Sequence, residues 1–288
     1  MLCWPGPARS AVEVIDDTGK KILLDRPAQR IIALYGAYNE MLAAMGMEER
    51  LIARTKVDDV PKSLLSKPSI GTHMRPNVEM VLGLKPDLIV QGAGRKEAMV
   101  AVEQLGRVGL TVAVFSPATF EELFSVILRL GTLTGAEHQS RELVESLKAR
   151  LDAVRARLGT TGYRPKVFFE VRYPSLLGAG TDSIVNEVIE RAGGTNCTRV
   201  NKKLVRLGIE SLIESTPDFY VVQVGAMNRD PTPPDRRPHY QILEAVKRRR
   251  VLTVDEKEFS RPGPRSVDAV EKLAAFLHPE AWNRKKPQ

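Results

Sequence analysis

The side chains best equipped for chemistry fall into two groups. Tyr35, Tyr38, His73, Arg75 and Arg95 lie in the first half, and Arg172, Tyr173, Met227, Arg229 and Arg261 in the second. Arginine presents a planar fork of donors that matches carboxylate or catecholate oxygens and stacks on flat rings. Tyrosine adds a rigid apolar face with a polar tip. Such a set suits non-covalent binding of a bulky anionic metal chelate. Each residue also has a plainer use. The tyrosines equally suit packing of a surface, and loop arginines are commonly solvated. His73 suits a hydrogen-bonded loop position, stacking on a macrocycle or ligation of haem iron. Capture of a bare ion needs three or four converging ligands. The four histidines are dispersed, with His138 and His278 beside helix ends, so no metal-ligand set is assigned.

Motifs for catalysis are weak. Gln91-Gly92-Ala93-Gly94 could begin a dinucleotide fingerprint, but Glu97 stands where the third glycine belongs. A carboxylate there would repel a pyrophosphate. Neither a phosphate-binding Gly-x-x-x-x-Gly-Lys-Ser/Thr loop nor a Gly-x-Ser-x-Gly elbow occurs. Nucleophilic work by Cys197 would require a nearby histidine and a depressed thiol pKa. No catalytic residue or cofactor is assigned. A chelatase- or reductase-like enzyme is the alternative that an α/β scaffold leaves open.

The elements that must position these side chains come in two copies. Glu79 precedes Pro86-Asp87 and an apolar run, and Glu210 precedes Pro217-Asp218 and another. Upstream, Asn39-Glu40 ahead of Gly46 matches Asn186-Glu187 ahead of Gly193, in the same order. Each half reads as a buried strand (Arg30–Leu34, Lys166–Val171), an amphipathic helix closed by glycine and a short helix stopped before proline. A second strand follows (Leu88–Gln91, Phe219–Val224), then a helix and a third strand (Thr111–Phe115, Val251–Val254). Alternation of strands and helices predicts α/β architecture: two Rossmann-like lobes, each with a mostly parallel sheet covered on both faces. In such sheets ligands sit beyond the carboxyl ends of the strands, where the loops carry the residues named above. Between the halves, Leu143, Leu147, Leu151, Val154 and Leu158 form a stripe at helical spacing from Glu137 to Leu158. The expected division is a lobe over 12–136, one long rigid bridging helix over 137–159, and a second lobe over 160–279. A stiff rod of ~33 Å would hold a cleft that changes little on binding.

The totals agree with two cores. The chain has 288 residues, 43% of them hydrophobic, which exceeds the usual single domain. No apolar run is long enough for a membrane span. The formal charge of +8 is concentrated in Lys247–Arg250 and Arg284–Lys286, which read as solvated ends, and no basic–aromatic face suggests nucleic acid. Cys3 and Cys197 match no disulfide framework or zinc motif. The first residues lack the charged and apolar stretches of a secretory signal.

These segments resemble the periplasmic substrate-binding proteins for iron–siderophores, haem and vitamin B12, whose lobes are joined by a helix. The likeness covers residues 12–279. It is carried by Val14-Ile15-Asp16-Asp17-Thr18-Gly19-Lys20, Pro27–Leu34, Leu84-Lys85-Pro86-Asp87-Leu88-Ile89 and Ser260-Arg261-Pro262-Gly263-Pro264-Arg265. Tyr35-Gly36-Ala37-Tyr38 departs from the small Ser/Thr residues common there. The resemblance implies a monomer that captures a siderophore, haem or corrinoid chelate and delivers it to an ABC permease dimer with its ATPase. It places a ligand-contacting aromatic at the His73 loop and a ligand-facing arginine at Arg261. It also makes Glu79 and Glu210 docking residues for permease arginines, beside their plainer use as first-turn acids at a positive helix end. It implies a periplasmic or lipid-anchored, extracytoplasmic location, with Cys3 as a candidate lipid-attachment remnant.

Overall fold

Short runs rich in β-branched and aromatic residues build the strands of two compact units. The structure, a computed structural model, describes residues 11–94, 96–159 and 162–283. One unit runs through Pro117 and takes up Glu121–Glu145. The other comprises Ala118–Phe120 and the chain from Ser146 onward.

The first unit opens with an antiparallel hairpin, β1 (Val12–Ile15) and β2 (Lys21–Leu24). Alternate residues are buried, and Ile15 and Leu23 face out. The Asp16-Asp17-Thr18-Gly19 turn is held by Asp16, which accepts from Thr18 N, Thr18 Oγ1 and Lys20 N. Asp16 also accepts from Val114 N, and Asp17 from Ser116 N, which pins the hairpin to the end of a sheet strand. That sheet contains β3 (Ile31–Ala33), which leads into α1 (Gly36–Ala44). A small ribbon follows, β4 (Gly71–Thr72) with β5 (Arg75–Pro76), and then α2 (Val78–Gly83), β6 (Leu88–Gly92), α3 (Lys96–Arg107), β7 (Val112–Phe115) and α4 (Phe120–Thr134). The sheet order β3-β6-β7 is parallel throughout. Helix α1 differs from expectation. It is buried from Gly36 to Leu42 rather than amphipathic.

Helix α5 (Glu137–Leu158) occupies the predicted residues, and the unit boundary falls inside it. Its buried stripe is Val144, Leu147, Leu151, Val154 and Leu158, with Leu143 at the margin. Gly159, at φ +61°, ends it.

The second unit continues with β8 (Lys166–Arg172), β9 (Leu177–Ala179), α6 (Ile184–Arg191), β10 (Thr195–Asn196), β11 (Leu204–Arg206), α7 (Ile209–Glu214), β12 (Phe219–Val224), α8 (Glu244–Lys247), β13 (Val251–Asp255), α9 (Glu256–Phe259), α10 (Arg265–Leu277) and α11 (Pro279–Asn283). The order β11-β9-β8-β12-β13 has a parallel centre and an antiparallel edge. The edge strands β9 and β11 are an addition to the sequence expectation. They are short, and their burial alternates too little to show as a pattern.

The repeated Pro-Asp motif has the same structural job in both units. After α2 and α7 the chain passes through Lys85 at φ +49° and Thr216 at φ +46°, a left-handed conformation that side chains adopt at a cost. The aspartate after the proline then caps the first strand. Asp87 accepts from Gln29 N and Arg30 N at 2.8 and 2.9 Å, and Asp218 from Lys166 N at 2.8 Å. The aspartate N–H groups return bonds to Arg30 O and Lys166 O.

Candidate functional site

In the first unit the carboxyl ends of β3, β6 and β7 carry an aromatic cluster. Tyr35 is the residue on which α1 begins, and Gly92 at the end of β6 lies beside it. A Cβ on Gly92 would already touch Tyr35 Cγ and Tyr38 Oη at 3.7 Å. Tyr35 meets Tyr38 and His73 edge-on, with centroids 5.9 and 6.1 Å apart. The His73 loop is tied to β6 by Gln91, whose Nε2 donates to His73 O at 2.6 Å and whose Oε1 accepts from Gly92 N. Tyr35 and His73 are half-buried. Tyr38 is another matter. It is in the core at 1% exposure, with its hydroxyl donating to Phe115 O at 2.5 Å and its ring against Phe115. Burial pushes its pKa well above the usual value. It therefore supports Tyr35 from beneath, and of the two tyrosines expected to bind ligand only Tyr35 presents a surface. Arg75 is exposed, and Arg95 lies outside the described residues.

In the second unit β8 ends in Arg172-Tyr173. The Arg172 Nε is buried and finds no hydrogen-bond acceptor among the described residues, and its Nη2 lies 3.4 Å from Ser175 Oγ. Tyr173 is half-buried with its N–H donated to Asn228 Oδ1 at 3.0 Å. Asn228 closes the tight turn after β12 through reciprocal bonds with Gly225, and that turn exhibits Met227, half-buried, and Arg229, exposed. Ser260 Oγ donates to Gln223 Oε1 in β12, which brings the Ser260-Arg261 loop beside the same strand end. Arg261 is half-buried, and its carbonyl accepts from Ser266 Oγ.

Behind these residues sits a buried polar group that the sequence reading missed. Glu170, in mid-strand, and Arg237, from the proline-rich loop before α8, form a two-pronged ion pair with both side chains at 0% exposure. Tyr220 Oη donates to Glu170 at 2.5 Å, and Asn228 Nδ2 to the other carboxylate oxygen at 3.2 Å. The Arg237 guanidinium lies 3.9 Å from the Tyr173 ring centroid and 5.0 Å from that of Tyr240. Burial opposes the Arg237 charge, but the hydrogen bonds and charge of Glu170 outweigh it and hold the pKa above its ordinary value. Burial, and then the Glu170 charge, push the Tyr220 pKa up as well. The glutamate inside Val167-Phe168-Phe169-Glu170-Val171 was the available signal, since a charge in a buried strand requires a partner.

Glu79 and Glu210 are both exposed and both second residues of six-residue helices, α2 and α7. Cys197 is far from nucleophilic. Burial pushes its thiol up to about 11. No cluster of three or more metal-ligating side chains occurs among the described residues, nor a helix long and apolar enough to cross a membrane.

Residues 31–258 match the family model described as periplasmic binding protein. The chain belongs to that family. Among its relatives, an uncharacterised ABC transporter substrate-binding lipoprotein of Bacillus subtilis (strain 168) is 28% identical over 276 residues, covering 94% of this chain and 87% of that protein. A vitamin B12-binding protein of Vibrio cholerae serotype O1 is 24% identical over 254 residues, covering 87% and 90%. A solved structure of a possible iron-binding periplasmic solute-binding protein from Staphylococcus epidermidis superposes with a TM-score of 0.75 at 28% identity. It covers 88% of this binding protein and 100% of its own chain.

Proposed function

We propose that this chain is the substrate-binding component of an ABC importer. It takes up a metal chelate of the corrinoid, haem or iron–siderophore class and passes it to a permease dimer with its ATPase. Residues 12–136 and 160–279 are its lobes and 137–159 the helix connecting them. Its place of work is outside the cytoplasm, either periplasmic or lipid-anchored. The observation that carries the ligand class is the recurrence of held aromatic groups at the carboxyl ends of parallel strands. Tyr35 with His73 stands in one unit, and Tyr173 on its arginine in the other. Flat or bulky rings pack on such surfaces. Arg172, whose Nε lacks an acceptor among the described residues, then takes an anionic substituent of the chelate, with Arg75, Arg95, Arg229 and Arg261 as further charge. A vitamin B12-binding relative and an iron-binding structural relative support the same class. Glu79 and Glu210 are the permease-docking residues. They are matched in sequence, element and exposure.

Native mass spectrometry of the purified chain against cyanocobalamin, cobinamide, haemin and a ferric catecholate tests the proposal. Retention of one chelate at one-to-one stoichiometry, without chemical change, is expected. Turnover of the chelate by the isolated chain would replace this reading with a chelatase or reductase.

A further inference from the structure

Stability alone gives no reason for the Glu170–Arg237 pair. Desolvating two charges costs as much as their attraction returns, and well-packed apolar residues of similar volume serve a core as well or better. What the pair does accomplish is geometric. One carboxylate, on β8, receives Arg237 from the loop before α8, Tyr220 from β12 and Asn228 from the turn after β12. Asn228 in turn accepts the N–H of Tyr173. Arg237 also donates from Nε to Thr232 O at 2.6 Å, fixing its own irregular loop, and lays its guanidinium over the Tyr173 ring. Tyr240 stands at 86° against that ring. The backbone of Tyr173 and one face of its ring are therefore both referred to the same buried ion pair, while the ring stays half exposed.

We infer that Arg237, anchored by Glu170, is a positioning residue. It sets the Tyr173 ring and the turn bearing Met227 into the arrangement that a chelate contacts. The inference rests on the proposed binding function for its consequence, but not for its geometry. Its planar fork is the reason a lysine does not substitute. An ammonium satisfies neither two carboxylate oxygens in parallel nor a stacked ring.

The test uses the full chain labelled with 3-fluorotyrosine, the Tyr173 resonance being assigned through Tyr173→Phe. Two variants are compared with the unsubstituted protein: Arg237→Lys, and the apolar triple Glu170→Met/Arg237→Met/Tyr220→Phe, which leaves no buried charge behind. Thermal melting, the Tyr173 fluorine signal, and Kd for cyanocobalamin, haemin and a ferric catecholate are measured. In the folded triple variant the Tyr173 signal shifts and broadens, and Kd for the bound chelate rises about tenfold, the scale of a desolvated cation–π contact. Arg237→Lys, which keeps the charge and supplies a second readout should the triple variant not fold, shows the same changes in smaller degree. An unchanged fluorine signal with Kd within about twofold in a folded variant overturns the inference. If the unsubstituted chain binds none of the three chelates, the proposed function fails, and the fluorine signal alone still decides the role of Arg237.

Discussion

Replacing Gly225 by alanine tests how the turn bearing Met227 is held. Gly225 has room for nothing larger. A Cβ there would lie 2.4 Å from Glu256 Cβ and 2.6 Å from Glu256 Oε2. The Glu256 Cβ is fixed to the backbone at the start of α9, so side-chain rotation cannot relieve the contact. Overpacking of this kind costs ~1–3 kcal/mol. Displacing Glu256 also weakens its bond from Met227 N, 2.8 Å long, and a hydrogen bond to a charged acceptor contributes ~1.5–3 kcal/mol. Because the strain and the lost bond are alternative ways of yielding, a loss of ~1–3 kcal/mol is expected. For a unit of this size that corresponds to a fall in Tm of ~2–12 °C. The assay is a double-mutant cycle by thermal and denaturant unfolding: Gly225→Ala, Glu256→Gly and both together. Removing the Glu256 Cβ should absorb much of the cost of the added methyl, giving a favourable coupling of ~1–2 kcal/mol. Additive losses, within ~0.5 kcal/mol, would show that the crowding at Glu256 is not what the glycine avoids.

Tyr38→Phe removes the bond from its hydroxyl to Phe115 O and leaves that carbonyl only the 3.3 Å bond from Ala93 N, so it should lower stability by ~0.5–1.5 kcal/mol with little change in chelate Kd, whereas Tyr35→Ala should weaken binding. Unfolding and titration calorimetry on the two variants would read both. Charge reversal at Glu79 and Glu210 together should abolish transport through the reconstituted permease while leaving chelate affinity intact, and a drop in affinity would remove both from the docking role. The Cys197 thiol, held up to about 11 against an ordinary 9.0 because burial disfavours the thiolate, should react slowly with a disulfide reagent in the folded chain. Its rate should still be climbing steeply between about pH 10 and 11, where an unfolded control of pKa 9.0 has levelled off. Asp87→Ala loses two strand-capping bonds and Asp218→Ala one, so hydrogen exchange at the start of β3 should accelerate more than at the start of β8.

The sequence by itself determined what depends on neighbours along the chain. Buried strands announced themselves as apolar runs, and the long helix as a stripe over Glu137–Leu158. The Glu…Pro-Asp repeat proved to be one structural device used twice, because proline and the left-handed residue before it act locally. The loops after the strands followed from α/β topology. Tertiary structure decided the rest, because burial and pairing join residues far apart in the chain. Tyr35 and Tyr38 are three residues apart and of one type, yet one is half exposed and the other is sealed by Phe115, which is 77 positions away from Tyr38. Arg237 sat unremarked in a proline-rich loop because nothing near it in sequence marks a buried charge. Its partner Glu170 is 67 residues away, on a strand that only the folded sheet brings beneath it.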